Sequence, residues 1–170
     1  MLDDTFCEVL IKKKETGREK GIRILMIVLT AGLVIIGFVI NPIMLFVALA
    51  AGVADYIIFP RLNVEYEYAY VNGQLDIDKI FSKQSRKRAA EYNLDTIEIV
   101  APEGSSRLDG FRGNPNIRKV DFTSGDEKDK ESFFAFVTSR NNVREYVLFQ
   151  PSEKMIKDMH MRAPGKVFLR

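Results

Sequence analysis

The chain has 170 residues, 46% apolar and 28% charged, with a formal net charge of +2. That balance argues against a nucleic-acid partner, and no long basic arm interleaved with aromatics runs through it. One cysteine, Cys7, and one histidine, His160, exclude a disulfide framework and a cysteine-cluster zinc site, and a free thiol fits a reducing compartment.

The averages hide a sharp division. Between Ile24 and Phe59 the only charge is Asp55, whereas the stretch beyond Pro60 is richly charged. At the N-terminus, Phe6, Val9 and Leu10 stand at i, i+3, i+4 spacing, so residues 5–11 suit a short interfacial helix. Residues 12–20 are charged, contain Gly17, and read as a mobile surface segment. Lys12, Lys13 and Lys14 serve to retain the N-terminus on its side of a membrane, with contact to anionic headgroups as the second reading. A lone Cys7 near a membrane is a weak signal for acylation.

Residues 24–40 and 43–59 are two apolar runs of about 17 residues, roughly 25 Å of helix each. Helped by their flanks, they suffice for a hydrocarbon core, and neither shows the polar face of a soluble-core helix. Asn41-Pro42 is the turn between them, so the segments form an antiparallel hairpin with both ends on one side. Lys12, Lys13, Lys14, Arg18, Lys20 and Arg23 precede the first run, Arg61 follows the second, and the turn is uncharged. The positive-inside rule places both termini in the cytoplasm of a multi-pass cell-membrane protein. A cleaved signal peptide fits less well, because the second apolar run follows at once.

Asp55 is the one ionisable side chain within the runs, which makes it a functional candidate by default. It lies near the boundary, however, and pairing the helices about Asn41-Pro42 brings its carboxylate to the level of Thr30. The expectation is a Thr30–Asp55 hydrogen bond with a packing role, and Ala48 with Gly52 as a small-xxx-small contact.

After Pro60 the pattern becomes β. Val64, Tyr66, Tyr68 and Tyr70 alternate with Glu65 and Glu67, Asn72-Gly73 supplies a type I′ turn, and Leu75 and Ile77 alternate on the return. The abrupt exit at Phe59-Pro60-Arg61 holds this hairpin close to the membrane. The tyrosine row reads as one side of a packed core rather than a stacking face for a ligand. Residues 82–88 form a polar, basic turn. Further strands are expected over residues 89–92, 96–100, 117–123, 133–138 and 143–149, the last two joined across Asn141-Asn142. Residues 101–115 are a loop whose Gly110-Phe111-Arg112-Gly113 lacks the Gly-Lys-Ser/Thr ending of a phosphate cradle. Residues 124–130 are a solvated turn. Ser152 caps a helix with Met155, Ile156 and Met159 as its apolar stripe, Ala163-Pro164 stops it, and residues 166–170 are a last extended piece. His160 lies off the stripe as a surface histidine.

Two apolar spans, about seven short strands and one C-terminal helix together resemble bacterial pleckstrin-homology-like (PH-like) domains of membrane-anchored proteins. Glu65-Tyr66 through Leu75-Asp76-Ile77, Arg86-Lys87-Arg88, and Leu94-Asp95-Thr96-Ile97-Glu98-Ile99-Val100 carry that likeness. Nearly the full length also resembles a clostridial family of two-span membrane proteins grouped as a domain of unknown function. Lys154-Met155 through Ala163-Pro164 and Lys166-Val167-Phe168-Leu169-Arg170 are similar to that family's ending. The resemblance implies a membrane α-helical hairpin plus a mainly-β domain, with PH-like strands closed by one C-terminal helix. The division is then a cytoplasmic segment at 1–21, the two-helix transmembrane hairpin at 22–60, and a cytoplasmic PH-like domain at 61–170. No catalytic, cofactor or metal residue is implied. Phosphoinositide-binding members of the wider fold use basic residues around the first hairpin loop, where this chain has Asn72-Gly73.

The reading is a non-enzymatic, membrane-anchored interaction or scaffold module whose partners are the lipid bilayer and a protein or a second copy. The alternative is inner-leaflet anionic-lipid sensing through Lys83, Arg86, Lys87 and Arg88, weighed against a solvated charged turn among abundant acids.

Overall fold

The computed structural model describes residues 6–140 and 142–169. They fall into two compact units, one formed by residues 14–64 with 81–85 and the other by residues 1–13, 65–80 and 86–170.

The first unit is an antiparallel pair of helices. The longer, α1 (Gly17–Val39), starts well before the apolar run because Thr16 closes a capping box with Glu19. Glu19 N donates to Thr16 Oγ1 at 3.3 Å, and Thr16 N donates to Glu19 Oε2 at 2.8 Å. Much of the charged segment expected to be mobile is therefore the first turn of a helix. The second, α2 (Met44–Leu62), carries Pro60 in its last turn. Between them Asn41 Oδ1 accepts from Ile43 N at 3.0 Å. Gly37 lets the helices close near the turn, since a Cβ there would lie 2.6 Å from Leu45 Cδ2. Both helices are long and apolar enough to cross a membrane. Only 6% of each apolar stretch is buried, whereas the core helix of a soluble domain hides its apolar face. Residues 81–85 belong to this unit because Ser82 reaches the end of α2, its N donating to Asn63 O at 2.9 Å and its Oγ to Pro60 O at 3.2 Å. Ser82 and Lys83 both adopt positive φ, 48° and 59°, to make that tight turn.

The second unit holds two four-stranded sheets. One has the order β1 (Phe6–Lys12), β2 (Val64–Val71), β3 (Gln74–Phe81), β4 (Ser85–Asn93). The other has the order β5 (Ile97–Pro102), β7 (Phe134–Arg140), β8 (Val143–Phe149), β6 (Arg118–Asp121). A short helix, α3 (Asp109–Arg112), lies within the expected loop 101–115, and α4 (Glu153–Arg162) closes the domain. Beyond α4, Val167 bridges to Val100. Asn72 and Gly73 take the positive φ values, 48° and 94°, that the first turn needs.

The strand β1 corrects the helix expected over residues 5–11. It pairs antiparallel with β2 from Phe6↔Val71 to Lys12↔Glu65. Cys7, Val9 and Ile11 turn inward while Phe6, Glu8, Leu10 and Lys12 face out. In so short a segment the helical and the alternating patterns coexist, and the open ladder edge of β2 selects the strand. The helical pair is thus an insertion between two neighbouring strands of one sheet. Of the segments read from sequence, Thr5, Asn141 and Arg170 lie outside the described residues.

Three other expectations change. The basic turn over 82–88 is mostly strand, with Arg86, Lys87 and Arg88 all in β4. Ser124, in the turn expected to be solvated, is buried, its Oγ donating to Asp129 Oδ2 at 2.9 Å. His160 is half-buried, its Nδ1 lying 2.7 Å from Val167 O.

The core lies between the sheets and is aromatic. Tyr66, Tyr68 and Tyr70 are buried as one row, and rings meet edge-on for Tyr68–Phe149, Tyr92–Phe136 and Phe136–Phe149 at 6.5, 4.9 and 5.1 Å. Met155, Ile156 and Met159 of α4 join this buried set. A second cluster holds Ala101, Leu108, Ile117, Ala135, Val137 and Tyr146.

Because Lys12 and Glu65 are direct partners, a two-residue Asn-Gly link can replace residues 13–64. The resulting protein is expected to be soluble and to unfold cooperatively by circular dichroism. Removing residues 1–12 from it as well opens the β2 edge and should lower Tm by roughly 10 °C or more. An unchanged Tm would show that β1 is dispensable.

Candidate functional site

The two charged strands β3 and β4 are built as a complementary pair. Arg86 Nε donates to Asp78 Oδ2 at 2.6 Å, and its Nη2 lies 3.1 Å from Glu67 Oε2. Arg88 reaches Asp76 Oδ2 at 3.4 Å and Glu91 Oε2 at 3.3 Å. Gln74 Nε2 completes the lattice, donating to Asp76 Oδ1 and Glu91 Oε1. These arginine side chains are more than half exposed, so each pair contributes little to stability. Their effect is on charge, because the two guanidiniums face carboxylates from their own sheet.

The four basic residues singled out in sequence therefore separate. Arg86 and Arg88 are engaged by Glu67, Asp76, Asp78 and Glu91. Lys87 makes no ion pair or hydrogen bond among the described residues. Lys83 sits elsewhere, at the tip of the turn bound to the end of α2 through Ser82. Glu67 is the electrostatic centre of this face. Burial raises its pKa above the ordinary 4.5, a hydrogen bond with Glu8 adds to the rise, and Arg86 opposes it.

Within the helical pair the structure brings Thr30 and Asp55 together, the Thr30 hydroxyl donating to Asp55 Oδ2 at 2.8 Å. Ala48 is buried, but the Cβ position of Gly52 has open space around it. The tight approach falls at Gly37 against Leu45, outside the Ala48–Gly52 small-residue spacing.

A polar core network joins α4 to the first β-turn. Tyr70 donates its hydroxyl proton to Asp158 Oδ2 at 2.7 Å, Arg162 Nε donates to the same oxygen at 2.6 Å, and Arg162 Nη2 reaches Asn72 Oδ1 at 2.9 Å. Burial and the Asp158 carboxylate push the Tyr70 pKa far up, so the phenol stays a donor.

Sequence reasoning did not find a cleft of about 420 Å³ in the β unit. Gln74, Glu91 and Asn93 line one part of it, Thr96 another, and Thr138, Ser139 and Arg140 the end of β7. No local motif marks it, because its residues come from four separate stretches of chain. Among the described residues, no three His, Cys, Asp or Glu side chains gather as metal ligands.

A family model described as "Bacterial PH-like domain (DUF6106)" matches residues 3–169, so the match takes in β1 and the helical insertion as well as the later strands. No curated protein and no solved structure matches the chain.

The raised Glu67 pKa sets a pH dependence. Over the window starting at the ordinary value of 4.5, the folded state holds a proton that the unfolded chain has released. The stabilisation is full below that window and is lost as pH rises through the folded pKa. A series of denaturant midpoints across about pH 4–7 should show this decline, and Glu67→Gln should flatten it. A rise with pH that depends on Glu67 would contradict the assignment.

Proposed function

The chain belongs to the bacterial PH-like domain family, and from that premise we propose that it is a membrane-anchored interaction module. Its α1–α2 pair spans the cell membrane, and its β unit docks a protein partner or a second copy at the inner leaflet. The observation that carries the reading is the β1–β2 ladder across the insertion. Strands from both flanks of the hairpin build one sheet, so both flanks must lie on one side of the bilayer. The side follows from charge: Lys12, Lys13, Lys14, Arg18, Lys20, Arg23 and Arg61 flank the helices and the turn has none.

Reporter fusions test the placement. A fluorescent protein or phosphatase at either end should report cytoplasm at both; one end in each compartment would break the shared sheet and the proposal with it. Docking is tested by affinity capture from cells with the full-length chain and with the hairpin-replaced domain. The same protein, or the chain itself, should be retained by both. Retention of no protein by either would count against a docking module.

The second reading, anionic-lipid sensing, is favoured by one observation. The turn carrying Lys83 is bound to the end of α2, beside Arg61, by the two hydrogen bonds of Ser82. On this reading Lys83 sits at the membrane-adjacent end of the hairpin, whereas Arg86 and Arg88 are engaged by acids. A headgroup then meets Lys83 and Arg61, at about 1 kcal/mol per charge. In nanodiscs, Lys83→Glu should weaken protection of the turn by anionic lipid in hydrogen exchange, and Arg88→Gln should not. Equal protection in neutral and anionic discs would remove the lipid reading.

A further inference from the structure

The cleft at the end of β7 has a hydrogen-bond balance that bears on the ligand it could take. Its acceptors are largely used internally. Glu91 takes protons from Gln74 and Arg88 on its two oxygens, at 3.0 and 3.3 Å. Asn93 Oδ1 accepts from Asp95 N at 2.8 Å, and the carbonyls of Asn93 and Thr96 accept from the hydroxyls of Thr96 and Thr138. What remains on the walls is mostly donors. The Asn93 amide nitrogen and the Ser139 hydroxyl have no bond within the described structure. Arg140 makes no ion pair among the described residues, although its guanidinium is hydrogen-bonded to the Tyr92 hydroxyl, which Glu145 also engages.

Arg140 is also positioned. Its guanidinium lies 5.9 Å from the centre of the Tyr92 ring, and that ring is buried and fixed by the Tyr92 hydroxyl donating to Glu145 at 3.2 Å. Neighbouring arginines of this sheet are spent on acids: Arg144 pairs with Glu98 and Arg118 with Glu145. Arg140 thus brings a positive charge to an open, polar space of about 420 Å³, whose walls also carry the Glu91 carboxylate and whose Ser139, Asn93 and Arg140 side chains are exposed. A planar guanidinium with a hydroxyl and an amide donor beside it suits an oxyanion.

We propose that this cleft is a binding site for a small polar molecule bearing a carboxylate or phosphate group, held by Arg140 with Ser139 and Asn93. The anion seats on Arg140, and the polar remainder of the molecule fills the space toward Gln74 and Thr96. The site is independent of the docking reading, since it needs neither a protein partner nor a membrane side.

The test uses the full chain in neutral-lipid nanodiscs, titrated calorimetrically with sodium phosphate and with sodium citrate at constant ionic strength. One saturable site is expected for at least one of them. Arg140→Gln should weaken binding at least tenfold and Ser139→Ala several-fold, while Lys119→Gln, on β6, leaves it unchanged. Matching thermal midpoints for the variants and the parent exclude misfolding as the cause. A repeat in discs with anionic lipid separates the sources: competition identifies a lipid headgroup, and unchanged binding a free anion. No saturable binding to either probe, or Arg140→Gln binding as the parent does, overturns the proposal.

Discussion

The seven-residue ladder between β1 and β2 is the constraint on which the rest of the molecule depends. Residues 13–16 join β1 to α1, and Asn63 alone joins α2 to β2. A helical pair inserted at such a point must return the chain to where it left, and Asn41-Pro42 with the Gly37–Leu45 approach achieves the reversal. The ladder also turns the N-terminal segment from an appendage into a structural strand. Without it the backbone groups along one side of β2 would lose their partners, a state that sheet edges tolerate poorly. The match of the family over residues 3–169 is what this arrangement requires, because a domain starting after the helices would lack its first strand.

The tyrosine row shows how the same strand serves two tasks. Its rings fill the space between the sheets, each contributing ~1.5–3 kcal/mol by burial, and its hydroxyls cross to satisfy polar groups on the far side. Tyr68 donates to Phe122 O at 2.7 Å, and Tyr70 donates to Asp158 on α4. The C-terminal helix is thereby tied to the first hairpin by a buried carboxylate, whose orientation Arg162 also fixes. A purely apolar strand would bury comparable area without selecting where α4 sits.

Elements dominated by short-range signals were legible in the sequence. The two apolar runs, the Asn72-Gly73 turn and the Ser152 cap each carry their cause within a few residues, and Ser152 does accept from Met155 N at 3.2 Å. Segments whose conformation is chosen by a distant partner were not. Phe6–Lys12 holds both an i, i+3, i+4 and an alternating pattern, and only β2, more than fifty residues on, decides between them. The parallel pairing of β6 with β8 is of the same kind, because nothing in residues 118–121 names a neighbour. The basic run misled for a related reason. Its composition is that of a solvated turn, but the acids that engage it, Glu67, Asp76 and Asp78, lie on earlier strands and meet it only in the folded sheet.

That last point decides where positive charge is available. A count of Lys and Arg along β4 would locate a basic surface there, whereas the sheet neutralises Arg86 and Arg88 with its own carboxylates. Lys87 is left over within β4, and two further charges stand where the backbone turns. Lys83 stands at the tip of the turn fastened to α2, and Arg140 at the last residue of β7, beside a ring that holds it in place. Both are at ends of strands, where the ladder no longer supplies cross-strand acids directly opposite. On both anion readings proposed above, binding therefore rests on a single cation at a turn or beside an aromatic face, rather than on the density of basic residues in the sequence.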